Sequence, residues 1–422
     1  MDKNGSIKGQ IKVFVLRCYA LYLILVFLFI SNFLETYHFK TWLNKPFIGF
    51  TFYFTRFAGH LLLTKQFTGN LQFRDYYWTY IALLLYFFIA LVIAFVWTVT
   101  DKGKWILQFF NYTWVFARYY LAAILLGYGI SKLLGDQFGQ PDNASLIRPL
   151  GGFDPRSLFW EFMGASKSYQ VFGGALEVIA GALLLFRRTT TLGSLIALSV
   201  FTNILMLDIA YDVFVKIRIV YFLLVVIFIL IPDFKKLFKF FVLKQNTSLS
   251  DIPPLIEHRK FRRVHYISKV CFIGLIVFVI VRKQSEVYAQ YHYPLQGSLS
   301  GVYEMSAFYL NGRLCQPGYN DTVGWRKIAI NKYFPILGIQ VSNDSITDYF
   351  FKADIAKNFI DLTSYNEPGY KFRLYYEHTK ADEWVFNGLF KNDSIRFVSK
   401  KIVNKNFNLQ SGYGKAIWDY DF

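Results

Sequence analysis

Residues 118–132 read Arg118-Tyr-Tyr-Leu-Ala-Ala-Ile-Leu-Leu-Gly127-Tyr-Gly129-Ile-Ser-Lys132, an apolar run closed at each end by a cation. Further along, Gly173-Gly-Ala-Leu-Glu177-Val-Ile-Ala-Gly181 sets one carboxylate in the middle of a second run. Asp208 sits near the end of a third, with Asp212 and Lys216 just beyond. Charge at membrane depth costs on the order of 2.5–3.5 kcal/mol per residue on insertion scales, so such side chains turn toward a protein interior. The block from Tyr112 to Asp233 therefore decides the fold: membrane helices closing around a polar interior.

Composition agrees. The chain has 422 residues, 54% hydrophobic and 20% aromatic, with a mean hydropathy of +0.30. Several long apolar runs mark a polytopic membrane protein. Of the net charge of +18, nearly all lies in residues 1–284, whereas 285–422 is close to balanced. That distribution fits the positive-inside bias of membrane loops and an anionic cytoplasmic leaflet, so the lipid bilayer is the expected partner and nucleic acid is not. The three cysteines, Cys18, Cys271 and Cys315, stand far apart, with no CxxC, zinc spacing or disulfide framework. The N-terminus has Lys3, Lys8 and Lys12 before an apolar run from Val13 to Phe33 with no small-x-small site at its end, which predicts a retained anchor.

About seven spans are expected, near 13–33, 78–99, 114–134, 169–186, 190–209, 217–232 and 266–282. Basic segments at 3–12, at Lys102/Lys104, at Arg187/Arg188 and across 235–263 alternate correctly with them, placing the N-terminus inside and the C-terminal part outside. In a bacterium this is the inner membrane, with a periplasmic C-terminal domain. Two further segments are expected to lie in the interface: Phe47–Phe67, which carries Arg56, His60 and Lys65, and Leu158–Gly164, a short helix after the turn residues Pro149, Gly151-Gly152 and Pro155. Either an aromatic anchor or a lid over the outer mouth fits both. The chain divides into 1–110 with two spans, a four-helix core at 111–234, a basic loop and last span at 235–284, and a β-rich domain at 285–422.

Mapped onto the spans, Lys132, Glu177, Asn203, Asp208, Asp212 and Lys216 are candidates to converge in the outer half of the core, as a proton site or as a seat for the polar head of a lipophile such as a quinone. Desolvation favours the neutral form of such a carboxylate and a nearby Lys opposes this. The structural alternatives are a register-fixing Lys–carboxylate bridge and, for Asp212 and Lys216, a surface pair at i,i+4. Arg118 is expected to be a structural anchor that snorkels to the inner surface. Gly127, Gly129, Gly173, Gly174 and Gly181 suit close helix approach.

The run Arg118–Lys132, the stretch Gly174–Arg188 with Glu177, and Asn203–Lys216 resemble, in order and spacing, three helices of the DoxX-like membrane proteins, over about 112–233. The resemblance implies a four-helix membrane unit, relatives linked to thiosulfate:quinone oxidoreduction or thiol stress, and Arg118, Lys132 and Glu177 as the positions that carry over. The extra spans, the C-terminal domain and the lack of redox cysteines point away from a complete oxidoreductase and toward a subunit with a membrane or periplasmic redox partner. A proton-coupled transporter and a non-enzymatic scaffold are the alternatives.

After a linker near 284–298 the period becomes two. Strands are expected at 301–310, 325–331, 336–342, 345–352, 370–378, 384–390 and 394–400, with a turn at Asn311-Gly312 and Asn-Asp-Ser-Ile repeated at 343–346 and 392–395. This predicts an antiparallel β-barrel or sandwich, lipocalin-like. Trp325, Trp384, Tyr375 and Phe386 either line a ligand cup or form an aromatic core. His292 and His378 are isolated, and no metal site is expected.

Overall fold

The computed structural model describes residues 7–30, 49–58, 75–101, 105–248, 299–315, 324–332, 334–367, 369–380 and 382–402, with isolated positions at 60, between 267 and 282, and at 407 and 409. The chain falls into two compact units: a helical unit of 1–130 and 174–277, and a barrel unit of 131–173 and 278–422.

The described residues include the helices α1 (Ile7–Ile30), α2 (49–58), α3 (Tyr77–Asp101), α4 (Ile106–Leu134), α5 (Asn143–Leu146), α6 (Pro155–Ala165), α7 (Lys167–Leu184), α8 (Thr190–Ala210), α9 (Lys216–Leu230) and α10 (Phe234–Phe241). Among the described residues four are long and apolar enough to cross a membrane: Gly9–Leu28, Tyr77–Asp101, Ile106–Leu134 and Arg187–Ala210. A fifth span results if α9 and α10, bent by 82°, count as one. The expected spans at 169–186 and 217–232 appear as the shorter helices α7 and α9, and the seventh, 266–282, lies partly outside the described residues.

The helical core is apolar and aromatic, with Tyr86, Trp114, Leu121, Phe222 and Phe228 buried. Polar tips find backbone partners, as burial requires. Trp114 Nε1 donates to Ile229 O at 2.9 Å, Tyr221 Oη to Leu23 O at 2.9 Å, and Tyr19 Oη to Leu224 O at 2.6 Å. Helix α2 turns its buried Thr51 toward Tyr86, hydroxyl to hydroxyl at 2.6 Å, and leaves Phe50, Tyr53 and Phe57 exposed. At Gly129 even a Cβ would stand 2.7 Å from Gly174 O, so only glycine lets α4 approach α7 this closely.

The barrel unit holds β1 (Gly301–Leu310), β2 (Arg313–Cys315), β3 (Trp325–Ile330), β4 (Ile336–Val341), β5 (Ile346–Asp354), β6 (Phe359–Ser364), β7 (Lys371–Lys380), β8 (Glu383–Phe390) and β9 (Asp393–Ile402). All neighbouring strands pair antiparallel, and β9 closes on β1, giving an eight-stranded meander barrel with β2 as a short addition. Every expected strand is present, and β2 and β6 are additional. Asn311 and Gly312 are both left-handed (φ 49° and 78°), which makes the tight β1–β2 turn. The two Asn-Asp-Ser-Ile repeats both mark hairpins, but differently. In the first, Asn343 and Asp344 form the turn; in the second the left-handed residues are Lys391 and Asn392, and Asp393 already starts β9.

The interior is filled. Trp325, Trp384, Phe386 and Phe397 are buried together, with Phe386 and Phe397 stacked at 4.9 Å between ring centroids. Eight strands leave an interior that side chains can fill, and here aromatics fill it. Tyr375 points outward and is exposed, so it does not join this core.

Residues 142–148 form a clasp on the outer wall of the barrel. Asn143 Nδ2 donates to Ile330 O at 2.7 Å and to Ser300 Oγ at 3.1 Å, and Ala144 N donates to Asn331 Oδ1 at 2.9 Å. Gln340 Nε2 donates to Ile147 O at 3.0 Å, and Arg148 pairs with Asp348 at 2.7 Å. Ala144 and Ile147 cover Val302 and Ala329, which explains why those outward strand positions are apolar and buried. The clasp is capped by Asp142, whose carboxyl accepts from Asn143 N at 2.8 Å and Lys332 N at 3.4 Å. Burial pushes the Asp142 carboxyl up to about 6, and nearby Glu161 adds to this while the two amides and Lys332 oppose it. Glu161, itself raised by burial, accepts from Ser145 Oγ at 2.6 Å. Helix α6, expected at Leu158–Gly164, starts on Asp154, which caps Ser157 N at 3.1 Å.

Candidate functional site

The polar residues of the helical unit lie at three levels. At one end, near the turn between α7 and α8, Arg118 is 2% exposed. Its guanidinium lies over the rings of Trp114 (5.2 Å) and Tyr119 (4.7 Å), and Nη1 reaches Thr190 Oγ1 at 3.5 Å. The Arg118 side chain does not extend to the surface as a snorkelling cation would; it lies buried against aromatic faces. Beside this turn Thr191 Oγ1 donates to Asp233 Oδ2 at 2.6 Å, tying α8 to the end of α9.

At the middle level stands Glu177, 1% exposed. On α7 it shares a face with Gly174 and Gly181, three residues before it and four after. That face packs on α4: a Cβ at Gly181 would meet Ala122 O at 3.1 Å, and Gly129 abuts Gly174 and Val178. The glycines draw α4 in against the face of α7 that carries the buried carboxyl. A carboxyl group accepts hydrogen bonds in either protonation state and donates one when protonated, a set that can meet a hydroxyl or a ketone on a lipophilic ring.

At the far end, Asp208 is 4% exposed on α8. Gly193 lies against Ala180–Leu184 across the α7–α8 hairpin. Counting 1.5 Å per residue away from that crossing, Asp208 stands about 15 Å further along than Glu177. Asn203 faces outward and is exposed, so it joins neither. Asp212 is exposed and left-handed (φ 49°), and it pairs with Lys216 at 2.7 Å as an i,i+4 surface bridge. Lys132, buried in the last turn of α4, belongs to the barrel unit. Of the six expected residues, Lys132, Glu177 and Asp208 are buried, whereas Asn203 and Asp212 are exposed and Lys216 pairs with Asp212.

Three polar residues escaped the sequence analysis. Asp75 caps α9, accepting from Lys216 N at 3.0 Å and Ile217 N at 2.9 Å, and its carboxylate lies 3.6 Å from Lys216 Nζ. Arg17, fully buried on α1, pairs with Asp101 at the end of α3 and lies 4.4 Å over Trp97. Arg17 interrupts an apolar run, the same signal that marked Glu177; Asp75 gives no such signal. No group of three or more His, Cys, Asp or Glu side chains able to hold a metal occurs among the described residues.

No family model matches the chain, and no solved structure matches it. Among curated proteins it is similar to the uncharacterized protein YwoB of Bacillus subtilis (strain 168), at 32% identity over 99 residues, 24% of this chain. The chain spans about three fifths (62%) of the length of that relative.

Proposed function

We propose that this chain is a DoxX-like integral membrane protein whose helical unit binds the polar head of a quinone-class lipophile beside Glu177, acting as a partner-dependent subunit of envelope redox metabolism. The observation that carries the proposal is a carboxyl group buried at mid-helix, on the face of α7 that glycines close against α4. A structural carboxylate in such a place is costly, and function is the usual reason it is kept. The order and spacing of Arg118, Lys132 and Glu177 support the family. The basic segments, which alternate with seven expected spans, support an N-terminus in the cytoplasm and a barrel in the periplasm. The widely spaced cysteines support dependence on a redox partner.

One observation favours a second function, a scaffold. The barrel interior is packed with aromatics, so the barrel unit offers an outer wall and not a cup.

The test is the lipophile that the purified protein carries. Mass spectrometry of the wild type is expected to find a quinone in near-stoichiometric amount, lost in Glu177→Gln with the fold intact. Wild-type protein free of quinone, and unable to take one up in liposomes, refutes the proposal and favours the scaffold.

A further inference from the structure

Helix α10 reads Phe234-Lys-Lys-Leu-Phe-Lys-Phe-Phe241. At 100° per residue, Phe234, Leu237, Phe238 and Phe241 fall within one arc of about 100°, while Lys235, Lys239 and Lys236 fill the opposite side. Phe234, Phe238 and Phe241 are all exposed, and only Leu237 packs against the helical core. Phe240 flanks this arc with its ring edge-on to Phe241 at 5.1 Å. The helix leaves α9 at 82°, and its start is held by the Thr191–Asp233 hydrogen bond. That bond also brings the turn with Arg187 and Arg188 close by, and Lys244 follows the helix.

A helix bent away from an apolar span, with three unburied phenylalanines below and lysines above, matches neither a soluble surface nor the second half of a span. Three lysines in eight residues are too many for the hydrocarbon, and four exposed phenylalanines are too many for water. Both faces are satisfied where acyl chains meet anionic headgroups. We propose that α10 is an interfacial helix that binds anionic phospholipid of the leaflet, its phenylalanines in the acyl region and Lys235, Lys236 and Lys239, joined by Arg187 and Arg188, on the phosphates. The charge is complementary to an anionic leaflet, which selects lipid as the occupant over a second protein.

The full-length protein is reconstituted in nanodiscs of phosphatidylcholine with and without phosphatidylglycerol. Cys18, Cys271 and Cys315 are replaced by Ser, and spin labels are placed at Phe238→Cys or Lys239→Cys. The label at 238 is expected to be relaxed by oxygen, and the label at 239 by an aqueous nickel chelate. Native mass spectrometry is expected to show retained phosphatidylglycerol, and Lys235→Gln/Lys236→Gln/Lys239→Gln to weaken that retention about fivefold per lysine at low salt. Two outcomes overturn the proposal. One is both labels shielded from both reagents, which means a protein partner, or both relaxed by oxygen alone, which means a re-entrant span. The other is unchanged phosphatidylglycerol retention in a triple variant that circular dichroism shows to be folded.

Discussion

Asn143→Ala tests the clasp on the barrel. Asn143 is 2% exposed and donates two hydrogen bonds, to Ile330 O and Ser300 Oγ. Each is worth about 0.5–1.5 kcal/mol net, and a buried acceptor left bare costs about 1–3 kcal/mol more. Ile330 O is not left bare, because Ser300 Oγ already approaches it at 3.3 Å and takes over as donor. The desolvation penalty therefore drops out and the loss is about 2 kcal/mol, the sum of two ordinary bonds. Other clasp bonds, Ala144 N to Asn331, Gln340 to Ile147 O and Arg148 to Asp348, persist. The clasp then opens about 30-fold more often. Hydrogen–deuterium exchange by mass spectrometry reads this directly. Peptides over 142–148 and over β3 are expected to exchange faster by that factor, with β6–β8 unchanged. Equal exchange over 142–148 in the variant and the wild type would mean that the segment does not depend on Asn143, and the docking argument fails.

Asp142 gives the clasp a pH dependence. Its folded value of about 6 exceeds the ordinary 3.8, so the clasp is most stable with the carboxyl neutral. That stabilisation is full below about 4 and is lost as pH rises through 6, by up to about 3 kcal/mol. Exchange at 142–148, corrected for the intrinsic rate, is expected to slow between pH 7 and 5, and Asp142→Asn to flatten the profile; a flat wild-type profile contradicts the assignment. Arg17→Met leaves Asp101 in the helical unit without its buried partner and is expected to lower the unfolding free energy by about 3–5 kcal/mol, whereas Arg17→Met/Asp101→Leu recovers most of it. Equal thermal shifts of the single and double variants would deny that the pair is coupled. Gly129→Leu forces α4 off α7, since a Cβ alone meets Gly174 O at 2.7 Å. Loss of monodisperse protein in detergent is expected, and a wild-type melting temperature would refute the close approach.

Local pattern carried much of this fold. The strand Gly301–Leu310 and the Asn311-Gly312 turn were legible because alternation and left-handed propensity are encoded within a few residues. Strand β6, where Ile360 and Leu362 are the only apolar residues among the three buried ones, is too short for alternation to stand out. The clasp was invisible because its partners on the barrel lie 157–200 residues away and its own residues, Asn143-Ala144-Ser145-Leu146, are unremarkable as a local run. Asp75 was missed for the same reason: it caps a helix that begins 141 residues later. For the site, periodicity separated apolar from charged positions but not depth or facing. It therefore grouped Asn203, which is exposed, with the buried Glu177.

The central claim is that the buried Glu177 carboxyl meets a ligand and is not mere packing. Infrared difference spectroscopy of the protein in lipid, on adding a quinone analogue, measures this at the carboxyl C=O stretch. The expected result is a band that shifts on addition and is absent from Glu177→Gln. A Glu177 band that stays in place at saturating analogue, or a shift that persists in Glu177→Gln, contradicts the claim.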